Sequence, residues 1–466
     1  MQYFPFSSEE LLPVLGEALS RGGDYADIYL EHTSSLHITM QDGVVNRASS
    51  NIDYGAGIRV VEGEKSGYAY CEELTIDNLK RAARTASGIV SGSIHASLPL
   101  NATPLVVPNR YPIGQSWEQT HIDRIIPYLL QAEQRLREEE PRIVKVQGMV
   151  GCKTSRIGFL NSLGESFEDL RPMGVVSLSC IIRDGSRTEQ ARSSRSFRMG
   201  AEMLSESLFI TLVEECISKA RFALTAGRPK GGVMPVVMAS GASGILLHEA
   251  IGHAFEADFI RKNTSIFSDR LGCDICSPLI NVVDDATIVG NRGAVNIDDE
   301  GVVGQKTYIV REGRLTSFLH DRISARHYGV APTGNGRRET FRSLPLPRMR
   351  ATYMEGGNAS EADLIASVKR GVYVQDFSNG QVQIGAGDFT FYVKSGYLIE
   401  DGRLTAPLKD INIIGNGPQA LADIQGVASD SIIDNGTWTC GKEGQSCPVT
   451  CGMPAVLVKQ LTVGGE

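Results

Sequence analysis

Residues 244–259 read GILLHEAIGHAFEADF, and His248, Glu249 and His253 within them are of the types that hold a metal ion and move a proton beside it. Two imidazoles supply nitrogen ligands suited to zinc, and a carboxylate adjoining the first is placed to take a proton from water. In the common zincin pattern the histidines are four apart, so at about 3.6 residues per turn their side chains lie roughly 40° apart on the helix surface. Here they are five apart. An ideal α-helix would turn the second ring about 140° from the first, so a shared ion requires a deformed helix. Gly252, just before His253, marks where a wide turn is tolerated, and single-turn π-bulges recur at functional sites. The spacing predicts a distorted helix there.

The plainest alternative is two ordinary buried histidines flanking a glutamate. Eight His in 466 residues make that arrangement improbable by chance. A structural zinc site would normally use four protein ligands and would have no need of Glu249, whereas a catalytic zinc takes three and keeps one position open. The third ligand must then come from elsewhere, and the segment Trp438-Thr-Cys-Gly-Lys-Glu-Gly-Gln445 offers Cys440. This cysteine lies between an apparent strand and a glycine-flanked loop, and Lys442 is close enough in sequence to favour a thiolate. Cys447 and Cys451 compete with it, and spacing alone does not choose among the three. A lone buried cysteine is more often a small hydrophobe than a ligand.

The elements that must position these residues divide near 226–233, where Ala-Gly-Arg-Pro-Lys-Gly-Gly forms a turn-rich linker. Upstream, Ser7 and Glu10 form a capping-box signature ahead of an amphipathic run to residue 19, with further helices predicted at 77–90, 121–138 and 202–224. Alternating segments at 27–30, 36–41, 57–61, 143–150 and 174–183 read as strands. Downstream, a buried strand at 234–238 leads into the histidine helix, after which strands dominate. Residues 308–319 and 397–408 echo one another as apolar runs bent at an acidic-Gly pair, the two-residue hairpin signal. The expectation is an α+β protein of two domains: 1–228, α+β, and 229–466, β-rich antiparallel sheet carrying the histidine helix.

The 244–259 and 440–445 segments together resemble the TldD branch of the TldD/PmbA family of zinc metallopeptidases. The similarity continues through NIDDEG (296–301), GVAPTGNGRRE (329–339), PRM (347–349), YLIEDGRLTAPLK (397–409) and LTVGG (461–465), and more weakly through 54–60 and 67–69. Carried over residue by residue, it implies that His248, His253 and Cys440 hold Zn2+ and that Glu249 is the general base. Glu249 would take a proton from water and later return it to the leaving amine. The resemblance also implies peptides or unfolded polypeptide as substrate and a related PmbA/TldE-type subunit as partner, with a homodimer as the alternative assembly. The chain departs from the family pattern at Arg350-Ala351, where a small polar residue and an asparagine are usual. It departs again at Cys447 and Cys451, either of which would be placed to perturb the metal or form a redox pair with Cys440. Rival functions are hydrolysis of a non-peptide amide and a non-catalytic subunit role; the intact His248, Glu249, His253 and Cys440 argue against the latter.

Other clusters carry plainer readings. Asp298-Asp299-Glu300 reads as a loop carboxylate cluster rather than a cation site. Gly334-Asn-Gly-Arg-Arg338 lacks the ending and context of a phosphate cradle, which leaves Arg337 or Arg338 to engage a peptide carboxylate, a partner chain or solvent. Cys273 and Cys276 have no second pair to make a zinc site. A net charge of −8 argues against nucleic acid as the main partner. The sequence MQYFPFSSEELL shows no secretory signal, no stretch is long and apolar enough for a membrane span, and nine cysteines suit a reducing cytoplasm.

Overall fold

A computed structural model describes residues 2–90, 92 and 96–465. Its N-terminal half is built on one long, chiefly antiparallel sheet. From one edge to the other run Lys65–Cys71, Val44–Glu62, Tyr25–Gln41, Ile143–Asn161, Glu165–Asp184 and Arg187–Phe197, with the short Thr103–Pro104 beside Glu165. The predicted strands 27–30 and 36–41 are one continuous strand. The polar Thr33-Ser34-Ser35 between them is paired on both sides, to Ile52 and its neighbours and to Thr154 and its neighbours, so strand pairing overrides the break in apolar alternation.

Two helix pairs cover this sheet over separate cores. Ser8–Ala18 and Ile76–Ala86 bury Leu11, Leu15 and Leu79 against Ile28 and Ile58. The expected capping box is formed: Ser7 Oγ accepts from Glu10 N, and the Glu10 carboxylate accepts from Ser7 N. Ile126–Glu139 and Glu206–Thr225 bury Leu129, Leu136, Leu212 and Ile217 against Val150 and Leu178. The first of these starts five residues later than the sequence pattern suggests, because 122–124 form a separate 3₁₀ turn.

In the C-terminal half Gly232–Met238, Val456–Gly464, Ile411–Asn416, Asp388–Glu400 and Arg370–Val382 pair in that order, and the last returns to the first. The sheet thus closes on itself, which leaves no free edge within the ring. Its core includes Val236, Phe391, Ile413 and Val458, and Leu247 and Ile251 of the histidine segment belong to the same apolar cluster. A second sheet carries Lys306–Arg311, Val282–Asp285, Ala351–Met354 and Thr450–Met453. Pairing is chiefly antiparallel; Ala351–Met354 with Thr450–Met453 and Arg370–Val382 with Gly232–Met238 are parallel. Both echo hairpins form with left-handed turn residues, Glu312-Gly313 and Asp401-Gly402, in different sheets. Among the described residues no helix is long and apolar enough to cross a membrane.

The halves are joined through the NIDDEG segment, whose acidic residues are buried. Arg59 reaches Asp27 through Nε at 2.8 Å and Glu300 through Nη1 at 2.6 Å. Arg171 reaches Asp169 and Asp299, and Arg338 N donates to Asp299 at 2.8 Å. Asp299 and Glu300 of the C-terminal half are therefore matched by guanidinium groups of the N-terminal half, and Asp298 by backbone N–H groups. Arg337 and Arg338 are not solvated or free for a peptide carboxylate: both are buried, and Arg337 donates to Met349 O and Pro448 O. Arg350, the departure from the family pattern, is fully buried. It bonds Asp284 at 2.6 Å and the carbonyls of Thr333 and Gly334.

Candidate metal centre

The histidine segment is a π-helix over Leu247–Gly252 followed by a 3₁₀ turn over His253–Phe255. The His253 N–H donates to His248 O, an i to i+5 bond that brings the two rings onto one side, with centroids 5.0 Å apart. The five-residue spacing is thus accommodated by widening the helix by one residue. Gly252 contributes differently from expectation. Its φ of −59° and ψ of −48° are ordinary right-handed helix values. A Cβ there would instead lie 2.4 Å from Met349 Sδ, so the glycine leaves room for the Met349 side chain. Gly244 likewise admits the backbone of Gly452, which a Cβ would approach to 2.3 Å.

Cys440 arrives on a two-stranded hairpin, Thr439–Lys442 with Gln445–Pro448, turned at Glu443-Gly444 with both residues at positive φ. Alternation along the strand buries Cys440 and Lys442 and exposes Thr439 and Gly441. The hairpin is bound to the rest of the fold by three arginines: Arg348 Nη2 donates to Cys440 O at 2.6 Å, Arg337 to Pro448 O, and Arg292 to Trp438 O.

One ligand-type atom from each of His248, His253 and Cys440 lies within 4.8 Å of the others, and all three residues are buried. Cys440 Sγ is 3.4 Å from His253 Nε2. Neither ring nitrogen of His248 has a hydrogen-bond partner among the described residues despite its burial, and a cation would satisfy the one that carries no proton. Burial would raise the Cys440 thiol, but the adjoining rings of His248 and His253 hold it at about 5, so sulfur favours the thiolate a metal needs. The donor set therefore fits zinc. Cys447, opposite Cys440 on the hairpin, and Cys451 are buried outside the group, and burial raises both thiols. Cys273 is exposed, and Cys276 Sγ lies 3.7 Å from Gly313 O.

Sequence reasoning missed the residue that orients His253. Glu256 Oε2 is 2.9 Å from His253 Nδ1, which turns Nε2 toward Cys440 and His248. Glu256 is fully buried, a cost that would raise its carboxyl, yet Lys442 and His253 beside it hold it down to about 2. The signal was present as His253-x-x-Glu256. Lys442 does not serve the thiolate as expected: its Nζ donates to Glu256 Oε2 at 3.1 Å, Asp258 Oδ1 at 2.7 Å and Pro347 O at 3.0 Å.

Glu249 is half-buried and, with His248, lines a cleft of about 1280 Å³. One wall is strand Arg187–Phe197 and helix Glu206–Thr225; the other includes Tyr373, Lys394, Asp434 and Trp438.

Residues 231–465 match the PmbA/TldA metallopeptidase C-terminal domain, 26–90 its domain 1 and 116–224 its central domain. The chain is 36% identical over 465 residues to a protein of Haemophilus influenzae named metalloprotease TldD homolog, covering 98% of this chain and 96% of that one. It is 34% identical over 292 residues to the zinc metalloprotease TldD homolog of Saccharolobus solfataricus, covering 62% and 64%. The crystal structure of TldE from Thermococcus kodakarensis shares the fold with a TM-score of 0.76, at 18% identity and with 98% and 100% coverage.

Proposed function

The chain belongs to the PmbA/TldD metallopeptidase family, and on that premise we propose that it is a zinc-dependent peptidase cutting small peptides or unfolded segments. The observation that carries this reading is the meeting of His248, His253 and Cys440, with His248 and Glu249 lining a large cleft. A zinc ion held by those three side chains would supply Lewis acidity to the scissile carbonyl and to water. Glu249 takes a proton from water and delivers it to the leaving amine, as a half-buried carboxylate facing the cleft is suited to do. Glu256 keeps the proton of His253 on Nδ1.

The cleft wall supports an extended substrate. Strand Arg187–Phe197 pairs with Glu165–Asp184 on one side, and Gln190, Ala191, Arg192, Ser194 and Arg195 contribute to the cleft. A chain laid along such an edge takes affinity from main-chain hydrogen bonds and little from side chains, which gives broad sequence preference. A related TldE-type subunit is the partner this reading favours, supported by the shared fold with a protein of that name. Division into units 1–228 and 229–466 is supported by the start of the matched C-terminal domain at 231. A reducing cytoplasm suits nine free thiols.

The test is digestion of unstructured peptides and of non-peptide amides by wild type and Glu249→Ala, each with and without a TldE-type subunit. Wild type should cut peptides, and Glu249→Ala should fall by about 10²- to 10⁴-fold while retaining zinc. A wild type that cuts no peptide under either condition, or cuts only the non-peptide amides, overturns the reading.

A further inference from the structure

Lys442 is a long cation buried where burial is costly. Its ammonium contacts Glu256, Asp258 and the Pro347 carbonyl and lies 4.3 Å from the centroid of the Phe259 ring. It also stands two residues beyond Cys440 on the same buried face of one strand. One side chain therefore ties the strand that carries the thiolate to the carboxylate that orients His253.

We propose that Lys442 is a positioning residue that aligns the ligand set by clamping Glu256 against His253. The proposal rests on the zinc reading above. Glu256 Oε2 accepts from Lys442 and faces His253 Nδ1 with the same oxygen, so losing the ammonium frees that oxygen to turn away. Asp258 shares the ammonium through Oδ1, and its Oδ2 has no hydrogen-bond partner among the described residues, which makes it the internal control. Groups that orient metal ligands from outside are worth roughly 10- to 100-fold in metal affinity.

Zinc dissociation constants, measured by chelator competition on the full chain, test this in wild type, Lys442→Met, Glu256→Gln, the double variant and Asp258→Asn. Lys442→Met and Glu256→Gln should each weaken zinc roughly 10- to 100-fold. The double variant should be no weaker than the worse single variant, because Lys442 acts through Glu256, and Asp258→Asn should stay near wild type. Cobalt substitution should retain the thiolate charge-transfer band in every variant, since Cys440 itself remains. Wild-type affinity in Lys442→Met, multiplied losses in the double variant, or an equal loss in Asp258→Asn overturns the proposal. If Lys442→Met does not fold, comparing the double variant with Glu256→Gln alone decides: equal affinity supports it, further loss overturns it. A wild type that binds no zinc overturns the zinc reading instead, and is distinct from all of these.

Discussion

The metal pocket and the NIDDEG junction are both buried assemblies of ionisable side chains, and they are finished differently. At the junction Asp299 and Glu300 meet Arg171 and Arg59, and Asp298 accepts from the N–H groups of Glu300, Val302 and Gly336. In the candidate metal pocket Lys442 is paired with two carboxylates and Arg348 with a carbonyl, although Glu256 Oε1, Asp258 Oδ2 and Arg348 Nε have no hydrogen-bond partner among the described residues. Each of these outer side chains still keeps at least one partner, whereas His248 has none at either nitrogen among the described residues, and the Cys440 thiolate faces two imidazoles. A buried group whose side chains all have partners is structure, whereas a side chain left with none beside a thiolate is a site for something that arrives from outside.

The largest break in that comparison is removal of a central donor. Cys440→Ala should abolish stoichiometric zinc in elemental analysis, because the site falls to two protein ligands. Cys447→Ala and Cys451→Ala should retain it, since neither thiol belongs to the converging group. Zinc lost from Cys447→Ala but kept in Cys440→Ala would reverse the assignment.

At the junction the effect should fall on stability and not on metal. Arg59 is fully buried and serves Asp27 and Glu300 together, so Arg59→Met removes their shared cation and leaves Asp27 with Arg338 at 3.6 Å and Glu300 with the Arg322 N–H. Breaking a buried pair in this way costs about 3–5 kcal/mol. Denaturant unfolding should show that loss while zinc content at low temperature stays at the wild-type level. A variant as stable as wild type would mean that the junction is not held by these pairs.

This contrast also marks what the sequence made legible. The π-turn could be foreseen because five-residue spacing is a geometric conflict on an ideal helix, and Glu312-Gly313 and Asp401-Gly402 could be read as hairpins because turn chemistry is local. The α+β layout followed from periodicity in the same way. The partners of Arg337, Arg338 and Lys442 were not legible, since a charged residue in a glycine-rich segment looks solvated until distant chain closes over it. Glu256 was hidden for a related reason. Its spacing from His253 was visible, but which of two carboxylates, Glu256 or Asp258, faces the ring depends on the chain leaving the 3₁₀ turn in an extended conformation at Glu256.

Between a fully matched group and an unmatched centre lies a single neutral group, and His320 supplies the finest test. It is buried beside Phe318 and Tyr328, and its Nδ1 has no hydrogen-bond partner among the described residues. Burial in that apolar setting pushes its pKa down from the ordinary 6.5 to about 4. The folded chain therefore keeps this ring neutral where the unfolded chain would protonate it. Between pH 6.5 and 4 the unfolded state binds the extra proton, so the contribution is fully present above 6.5 and is lost as the pH falls toward 4. At about 1.4 kcal/mol per unit, the cost between pH 7 and 5 is up to about 2 kcal/mol. His320→Phe keeps an aromatic ring of similar shape and removes the titration, so its unfolding free energy should fall less than that of wild type over the same interval. Parallel stability curves for the two proteins would show that His320 opens to water on protonation, and that neutral burial costs this fold nothing.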